Sequence, residues 1–282
     1  MPVPLKLFLA TALTAVSLAA QTTLTESQLM TRCDPPPGSL GGLTRNQKEG
    51  FQKSQAMFVA GHYGDALGEL RGLLAQLPQN SSARRAMAER TAEAALEAGD
   101  RAYAISLLKP IEERDGNDCS ARTLMARAYA EDERSAECDA EISTLTALHK
   151  QAPESPAGKL DVFLLEQRRL KGGGVVRIWN VLQPFGPLKT HLYSEIFDGS
   201  GSRTLTIELN SDDGLQVYFR EIHPDLAAKG DRRFSLDAVA DRPLPDGTVD
   251  HATIQFFDGR PSYEAVRERI LTIAEKSANP VS

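Results

Sequence analysis

The sequence predicts an α+β fold, in which a helical solenoid-like array precedes a mostly antiparallel β-rich domain that ends in a helix. Three observations support this. From about Gln47, Ala, Leu, Glu and Arg recur at helical spacing with few β-branched residues. Beyond Gly172 the period changes to alternation of apolar and polar residues, as in residues 204–209. After Ser262, an N-cap type of residue, an apolar stripe at helical spacing predicts the last helix.

The composition narrows the classes of function. The chain has 282 residues, 41% hydrophobic and 25% charged, which is typical of a globular protein of about two domains. Its net charge of −6 argues against nucleic-acid binding, because that requires a basic face to displace counterions. After the first 20 residues no apolar run is long enough to span a bilayer, so we expect no transmembrane segment in the mature chain.

The N-terminus has the pattern of a secretory signal peptide over residues 1–20. Lys6 precedes an uncharged apolar stretch at residues 7–18, and small residues follow it. A buried N-terminal helix is the alternative, but it would carry polar residues on one face. We therefore predict a periplasmic or secreted protein whose mature chain begins near Ala20 or Gln21.

The remaining sequence divides into a linker and two domains. Residues 21–45 are rich in Thr, Pro and Gly, as flexible linkers are. Residues 46–171 form the helical region, and residues 157–170 are predicted to be its capping helix, because an array otherwise exposes its last apolar surface. The glycine triplet at 172–174 then separates this region from a β-rich domain at residues 175–277. Strands are predicted at residues 175–182, 191–197, 204–209, 216–221, 234–239 and 251–257.

The cysteine count limits the disulfides that can form. The chain has three cysteines, Cys33, Cys119 and Cys138, so at least one of them has no disulfide partner within the chain. Cys119 and Cys138 fall roughly 10 Å apart along one helical hairpin, beyond bridging range, so we predict no bond between them. No cysteine–histidine spacing matches a zinc site, and no cofactor is predicted.

One pattern recurs in the helical region. Residues 60–67 and 98–105 each end a helix with Gly and His or Asp, turn, and open a second helix on Ala; a weaker copy follows at residues 129–142. The pattern resembles the tetratricopeptide repeat family, with copies starting near Gln47, Arg85 and Cys119. The small residues of the family, where paired helices pack closely, fall on Ser54, Ala66, Ala92, Ala104, Ala126 and Cys138. Its bulky aromatic near the start of each repeat is missing.

The resemblance implies a concave face that binds a protein or peptide. On that face it places the predicted partner-binding residues, namely Phe51, Gln55, Phe58, Glu89, Glu93, Glu97, Arg127 and Glu131. Three of the glutamates lie four apart on one helix, which suggests a basic partner segment. Alternatively, this stripe is the solvated face of an ordinary amphipathic helix.

No catalytic constellation is visible in the sequence. The string nearest to a nucleophile elbow, residues 198–202, lies between two predicted strands, so we predict a hairpin turn there. Trp179 is expected to be buried in its strand rather than to form a binding platform. The predicted function is therefore an exported, non-catalytic interaction or scaffold protein. The alternative is an envelope enzyme or a glycan-binding module with its site in the β-rich domain.

Overall fold

The structure, a computed structural model, describes residue 33 and residues 40–182, 190–211, 233–243 and 249–278. The predicted signal peptide, most of the predicted linker and the strand predicted at residues 216–221 lie outside these ranges. The first six helices are α1 (Arg45–Val59), α2 (Tyr63–Ala75), α3 (Ser82–Glu97), α4 (Arg101–Arg114), α5 (Cys119–Glu131) and α6 (Ser135–Gln151). The strands and the last helix are β1 (Val162–Arg169), β2 (Val175–Val181), β3 (Thr190–Phe197), β4 (Arg203–Ser211), β5 (Arg233–Pro243), β6 (Val249–Asp258) and α7 (Tyr263–Ala278).

Helices α1 to α6 form three hairpins that pack in sequence order, and α3 also contacts α5. Side chains of Thr44, Ser81 and Asp118 begin α1, α3 and α5 by accepting a hydrogen bond from a backbone N–H of the first turn. Each hairpin turn contains one residue with positive φ, which is Gly61, Gly99 or Glu133. These observations confirm the helical region, whereas membership of the tetratricopeptide repeat family stays a prediction.

The six strands of the described residues form one antiparallel sheet in which neighbours in sequence are neighbours in space. The predicted α+β class and antiparallel sheet are therefore confirmed, as is the final helix. Residues 198–202 form the turn between β3 and β4, as predicted. There the Asp198 carboxylate accepts hydrogen bonds from the N–H groups of Ser200, at 2.9 Å, and Ser202, at 3.1 Å.

The predicted capping helix at residues 157–170 is wrong. Its second half is β1, which pairs with β2. Residues 172–174 therefore lie in a β-hairpin turn, where the Gly173 N–H donates to the Leu170 carbonyl at 3.0 Å. The domain boundary predicted there is wrong for the same reason. A short apolar run bounded by glycines fits either a helix or a strand, and here burial on both sides of the strand selects the strand.

Two apolar clusters meet at α5. The first joins α2, α3 and α4 to Ala121, Leu124, Met125 and Ala128 on one side of α5. The second joins Ala126 and Ala130, on the other side of α5, to α6, the sheet and α7. Because one helix belongs to both clusters and also contacts β1, the array and the sheet pack directly against each other.

Two described residues of the predicted linker, Cys33 and Leu43, are attached to the helical array. Cys33 is bonded to Cys119 at the start of α5, with 5.5 Å between their Cα atoms, and Leu43 is buried against the first cluster. The description of residues 21–45 as a flexible linker is therefore wrong for these positions. Cys138 is a free, fully buried thiol, which confirms that Cys119 and Cys138 are not bonded to each other.

Candidate functional site

The predicted partner-binding residues occupy two different environments. Phe51, Gln55 and Phe58 are half-buried on α1, where the Phe58 ring meets the Tyr63 ring edge-on at 5.2 Å. The residues predicted on α3 and α5 are instead mostly buried: Glu89 and Arg127 are each 3% exposed. Only the end of the predicted groove at the first hairpin is therefore open.

Each glutamate of the predicted acidic stripe lies close to an arginine. Arg85 Nε lies 3.5 Å from Glu89, and an Arg90 terminal nitrogen lies 2.9 Å from Glu93. Glu97 lies 2.5 Å from Arg127. Since these carboxylates are paired within the array, the stripe does not present an open acidic surface. The prediction of a basic partner loses the argument on which it depended.

Strand β1 occupies the groove at the third hairpin. The Gln167 side-chain amide donates to Glu97 at 3.1 Å, and its backbone N–H donates to Glu131 at 3.4 Å. Arg127 links the two carboxylates, because it also donates to Glu131 at 2.8 Å. Burial lowers the pKa of Arg127, but the two carboxylates outweigh burial and raise it above its ordinary value. The guanidinium is therefore permanently charged and fixed.

A second buried ion pair holds α7 against β1. Arg267 donates two hydrogen bonds to the Glu166 carboxylate, at 2.6 and 2.9 Å, and the Tyr263 hydroxyl donates a third at 3.0 Å. Glu166 is 1% exposed. Glu133, in the turn between α5 and α6, lies 3.3 Å from Arg168 and 3.4 Å from Arg267. We call the contacts of Arg127, Glu133, Glu166, Gln167 and Arg267 the junction.

The side of the sheet that faces away from α7 carries an apolar cluster, which includes Trp179 and Val181, at its β1–β2 end and buried carboxyl groups on the next three strands. Glu195 on β3, Glu208 on β4 and Asp237 on β5 are all buried there. Glu208 lies opposite Asp237 in the register of the two strands. Buried carboxylates on three adjacent strands are unusual, because desolvation disfavours them unless partners compensate. We call this surface the polar side of the sheet.

Hydrogen bonds organise the polar side. Glu195 accepts from the Trp179 ring N–H at 3.2 Å and from Arg203 at 3.1 Å. Asp237 accepts from the Thr253 hydroxyl at 2.7 Å and from the Ser235 hydroxyl at 3.0 Å. Trp179 is 2% exposed, which confirms the prediction of a buried tryptophan.

Sequence patterns indicate little of the junction or of the polar side of the sheet. Glu166 and Arg267 are 101 residues apart, and Gln167 is 70 residues from Glu97. The sequence pattern predicts a helix at Glu166, and a helix there does not place this side chain opposite α7. On the polar side, alternation in residues 204–209 did indicate that Thr206 and Glu208 share one side of a strand. That they are buried was not predictable from this pattern.

Neither a metal site nor a membrane-spanning helix is found in the part of the chain that the structure describes. No group of three or more potential metal-ligating side chains lies together there. The helices of the same residues are too short or too polar to cross a bilayer. Comparison with protein-family models, with curated proteins and with solved structures gives no match.

Proposed function

We propose that this chain is an exported, non-catalytic scaffold and interaction protein in which the array and the sheet act as one rigid body. The observation that carries the proposal is the continuous apolar cluster that runs from Cys33 through α5 and α6 to the sheet and α7. The junction adds polar contacts across the same interface, because Gln167 donates to Glu97 and Glu131 of the array, and Arg168 and Arg267 pair with Glu133. A body joined in this way keeps a constant geometry between its surfaces, as a scaffold requires.

Export is supported by the disulfide as well as by the N-terminal pattern. The Cys33–Cys119 bond links two buried sulfur atoms. Disulfides persist in oxidising compartments and are rare in the cytosol. Together with the signal-like residues 1–20, this supports a periplasmic or secreted location. Intact-mass measurement of the exported protein tests it, since a mature chain that starts near Ala20 is expected and retention of Met1 would contradict it.

The partner surface is proposed at the open end of the groove, on α1. Phe51 and Phe58 are half-buried there, next to Gln55, so apolar side chains remain partly accessible. At the other end, β1 already occupies the groove. A protein or peptide segment with apolar anchors fits this surface better than a basic segment does, because the neighbouring glutamates are paired with arginines.

Site-specific photocrosslinking tests the partner surface. A photoreactive residue at Gln55 is expected to capture a discrete partner in the envelope fraction. The same residue at Lys109, which is exposed on α4, is the matched control and is expected to capture none. Equal capture from both positions, or capture from Lys109 alone, would contradict the proposed surface.

A ligand site on the polar side of the sheet is the second candidate function. It is favoured by the exposed Thr253, whose hydroxyl group bonds to the buried Asp237 and lies within reach of a ligand. Such a surface suits a hydroxyl-rich ligand, for example a saccharide, which both donates and accepts hydrogen bonds. A panel of oligosaccharides tests this by calorimetry. Binding that Thr253→Val abolishes and the exposed control Glu264→Gln preserves would favour this site over the groove.

A further inference from the structure

Two buried carboxyl groups lie beside one arginine between α3 and α5, on the array side of the molecule. Glu89 is 3% exposed in the middle of α3, and Asp118 is 6% exposed as the N-cap of α5. The cation beside them is Arg85, one turn before Glu89. It lies 3.5 Å from Glu89, pairs with Asp118, and lies 3.3 Å from the half-exposed Asp115.

The hydrogen-bond donors around the two carboxyl groups serve Asp118 better than Glu89. Asp118 accepts hydrogen bonds from Arg85 and from the backbone N–H of Ala121, the latter at 3.1 Å. The Oε2 atom of Glu89 is buried without a hydrogen-bond donor among the described residues. If both groups were ionised, one guanidinium would face two buried negative charges. A proton on Glu89 removes the excess charge and gives its carboxyl group a hydrogen to donate.

The other groups near Glu89 do not change this balance. The Ser120 hydroxyl on α5 favours the ionised form by hydrogen bonding, as Arg85 does by charge, but burial and Asp118 act more strongly in the opposite direction. Asp115, in the connection between α4 and α5, adds negative charge beside Arg85. Helices α2 and α4 also pack against α3, and within the described residues neither contributes an ion pair to Glu89.

We propose that Glu89 and Asp118 share one proton across the α3–α5 contact, and that loss of this proton loosens the contact between the second and third hairpins. The pair then acts as a pH-sensitive joint within the array. It lies directly before Cys119, where the disulfide attaches the segment that leads to α1. The α3–α5 contact also contains the Arg127–Glu97 pair of the junction, whereas the Arg267–Glu166 pair between α7 and β1 lies outside it.

The direction of the pH dependence follows from the proton count. Burial raises the pKa of Glu89 to about 7, from an ordinary value of 4.5, and the negative charge of Asp118 adds to the effect. The folded chain therefore holds a proton that the unfolded chain releases between these two values. Its stabilising effect is complete below the ordinary pKa and is lost as pH rises through about 7. Between these two pKa values, each unit of rise in pH increases the unfolding equilibrium constant by about tenfold, because only the folded chain keeps the proton.

Urea unfolding of the full chain between pH 5 and pH 9 tests the joint. The wild-type midpoint is expected to fall as pH rises from 5 to 8, relative to Glu89→Gln, which keeps the shape of the side chain without the charge. At pH 8 the Glu89→Gln variant is expected to be the more stable of the two. The matched control Glu113→Gln removes an exposed charge from α4 and is expected to follow the wild type. A Glu89→Gln variant with the wild-type pH dependence overturns the proposal.

Carbon-13 NMR of the folded protein, labelled at the glutamate carboxyl carbon, supplies a second test that is independent of unfolding. One resonance is expected to titrate near pH 7 and to be missing from Glu89→Gln. In Asp118→Asn, that resonance is expected to titrate at lower pH, because the neighbouring negative charge is gone. If the Glu89 resonance titrates near its ordinary pKa in the wild type, no shared proton exists and the proposal fails.

Discussion

Helix α5 takes part in two interfaces, and different interactions hold them together. Toward the first two hairpins it presents small and apolar side chains, such as Ala121 and Met125, to a cluster of leucines and alanines. Toward the sheet it adds Arg127 and Glu131, which are buried and ion-paired. Alanine contacts between helices follow from regular spacing in the sequence. The charged contacts depend on partners that only the tertiary fold brings together.

Replacing Arg267 by Ala should have the largest effect. The change removes the cation from Glu166, which is 1% exposed and would remain as a buried, uncompensated charge. Breaking a buried pair in this way lowers the free energy of unfolding by about 3–5 kcal/mol. Urea unfolding measures it. Lys276→Ala, which removes an exposed cation from the same helix, serves as the control. An equal loss in both variants would contradict the central role of the junction.

Removing the disulfide should have the next largest effect. The Cys33–Cys119 bond joins residues 86 positions apart, and closing a loop of that length restricts the unfolded chain strongly. We expect Cys33→Ser with Cys119→Ser to lower the free energy of unfolding by about 2–4 kcal/mol. Thermal unfolding with and without reductant measures this. Cys138→Ser, which leaves the bond intact, should keep the response to reductant that the double variant loses.

Overpacking the array tests whether the two interfaces unfold together. Ala104 is fully buried between helices of the second hairpin, so Ala104→Trp should cost about 1–3 kcal/mol. Because α5 belongs to both clusters, we expect one transition that shifts as a unit when it is followed by calorimetry. Ala102→Trp, on the exposed side of α4, should leave the transition in place. Two separated transitions would show that array and sheet are independent, as the glycine triplet had suggested.

The hairpin turns offer the smallest and most specific test. Glu133 has a φ of 61°, where Gly61 and Gly99 stand in the corresponding turns. Glu133→Gly should relieve about 1 kcal/mol of backbone strain while losing exposed ion pairs to Arg168 and Arg267, so the net change is expected to stay within about 1 kcal/mol. Gly99→Glu adds the strain without those partners and should destabilise by about 1 kcal/mol or more. If the two changes have equal effects, the ion pairs of Glu133 do not compensate for its backbone strain.

The sequence predicts local structure here better than it predicts contacts. The resemblance to the tetratricopeptide repeat places Ser54, Ala66 and Ala104 at close helix contacts, and all three are fully buried. The six described strands include one that was predicted as a helix, because Leu, Glu, Gln and Arg in residues 164–169 favour helices intrinsically. Pairing with β2 and contact with α5 override that preference.

For the candidate site, the sequence located side chains but not their partners. Glu97, Arg127 and Glu131 do lie on adjacent helices, as the repeat pattern implied. Gln167 donates hydrogen bonds to Glu97 and Glu131 only because β1 folds back across the array. No local sequence pattern encodes such a contact. The same holds for Glu195 and Asp237, which share one side of the sheet only through the order of its strands.

The position of the disulfide also bears on how the chain reaches its folded state. During synthesis the three cysteines emerge in the order Cys33, Cys119 and Cys138. An oxidant that joins the first two thiols to appear makes the bond found in the structure, and Cys138 is the thiol left over. The first two hairpins lie wholly between the paired cysteines, so both have emerged before the bond can close. The correct pairing therefore needs no later disulfide exchange.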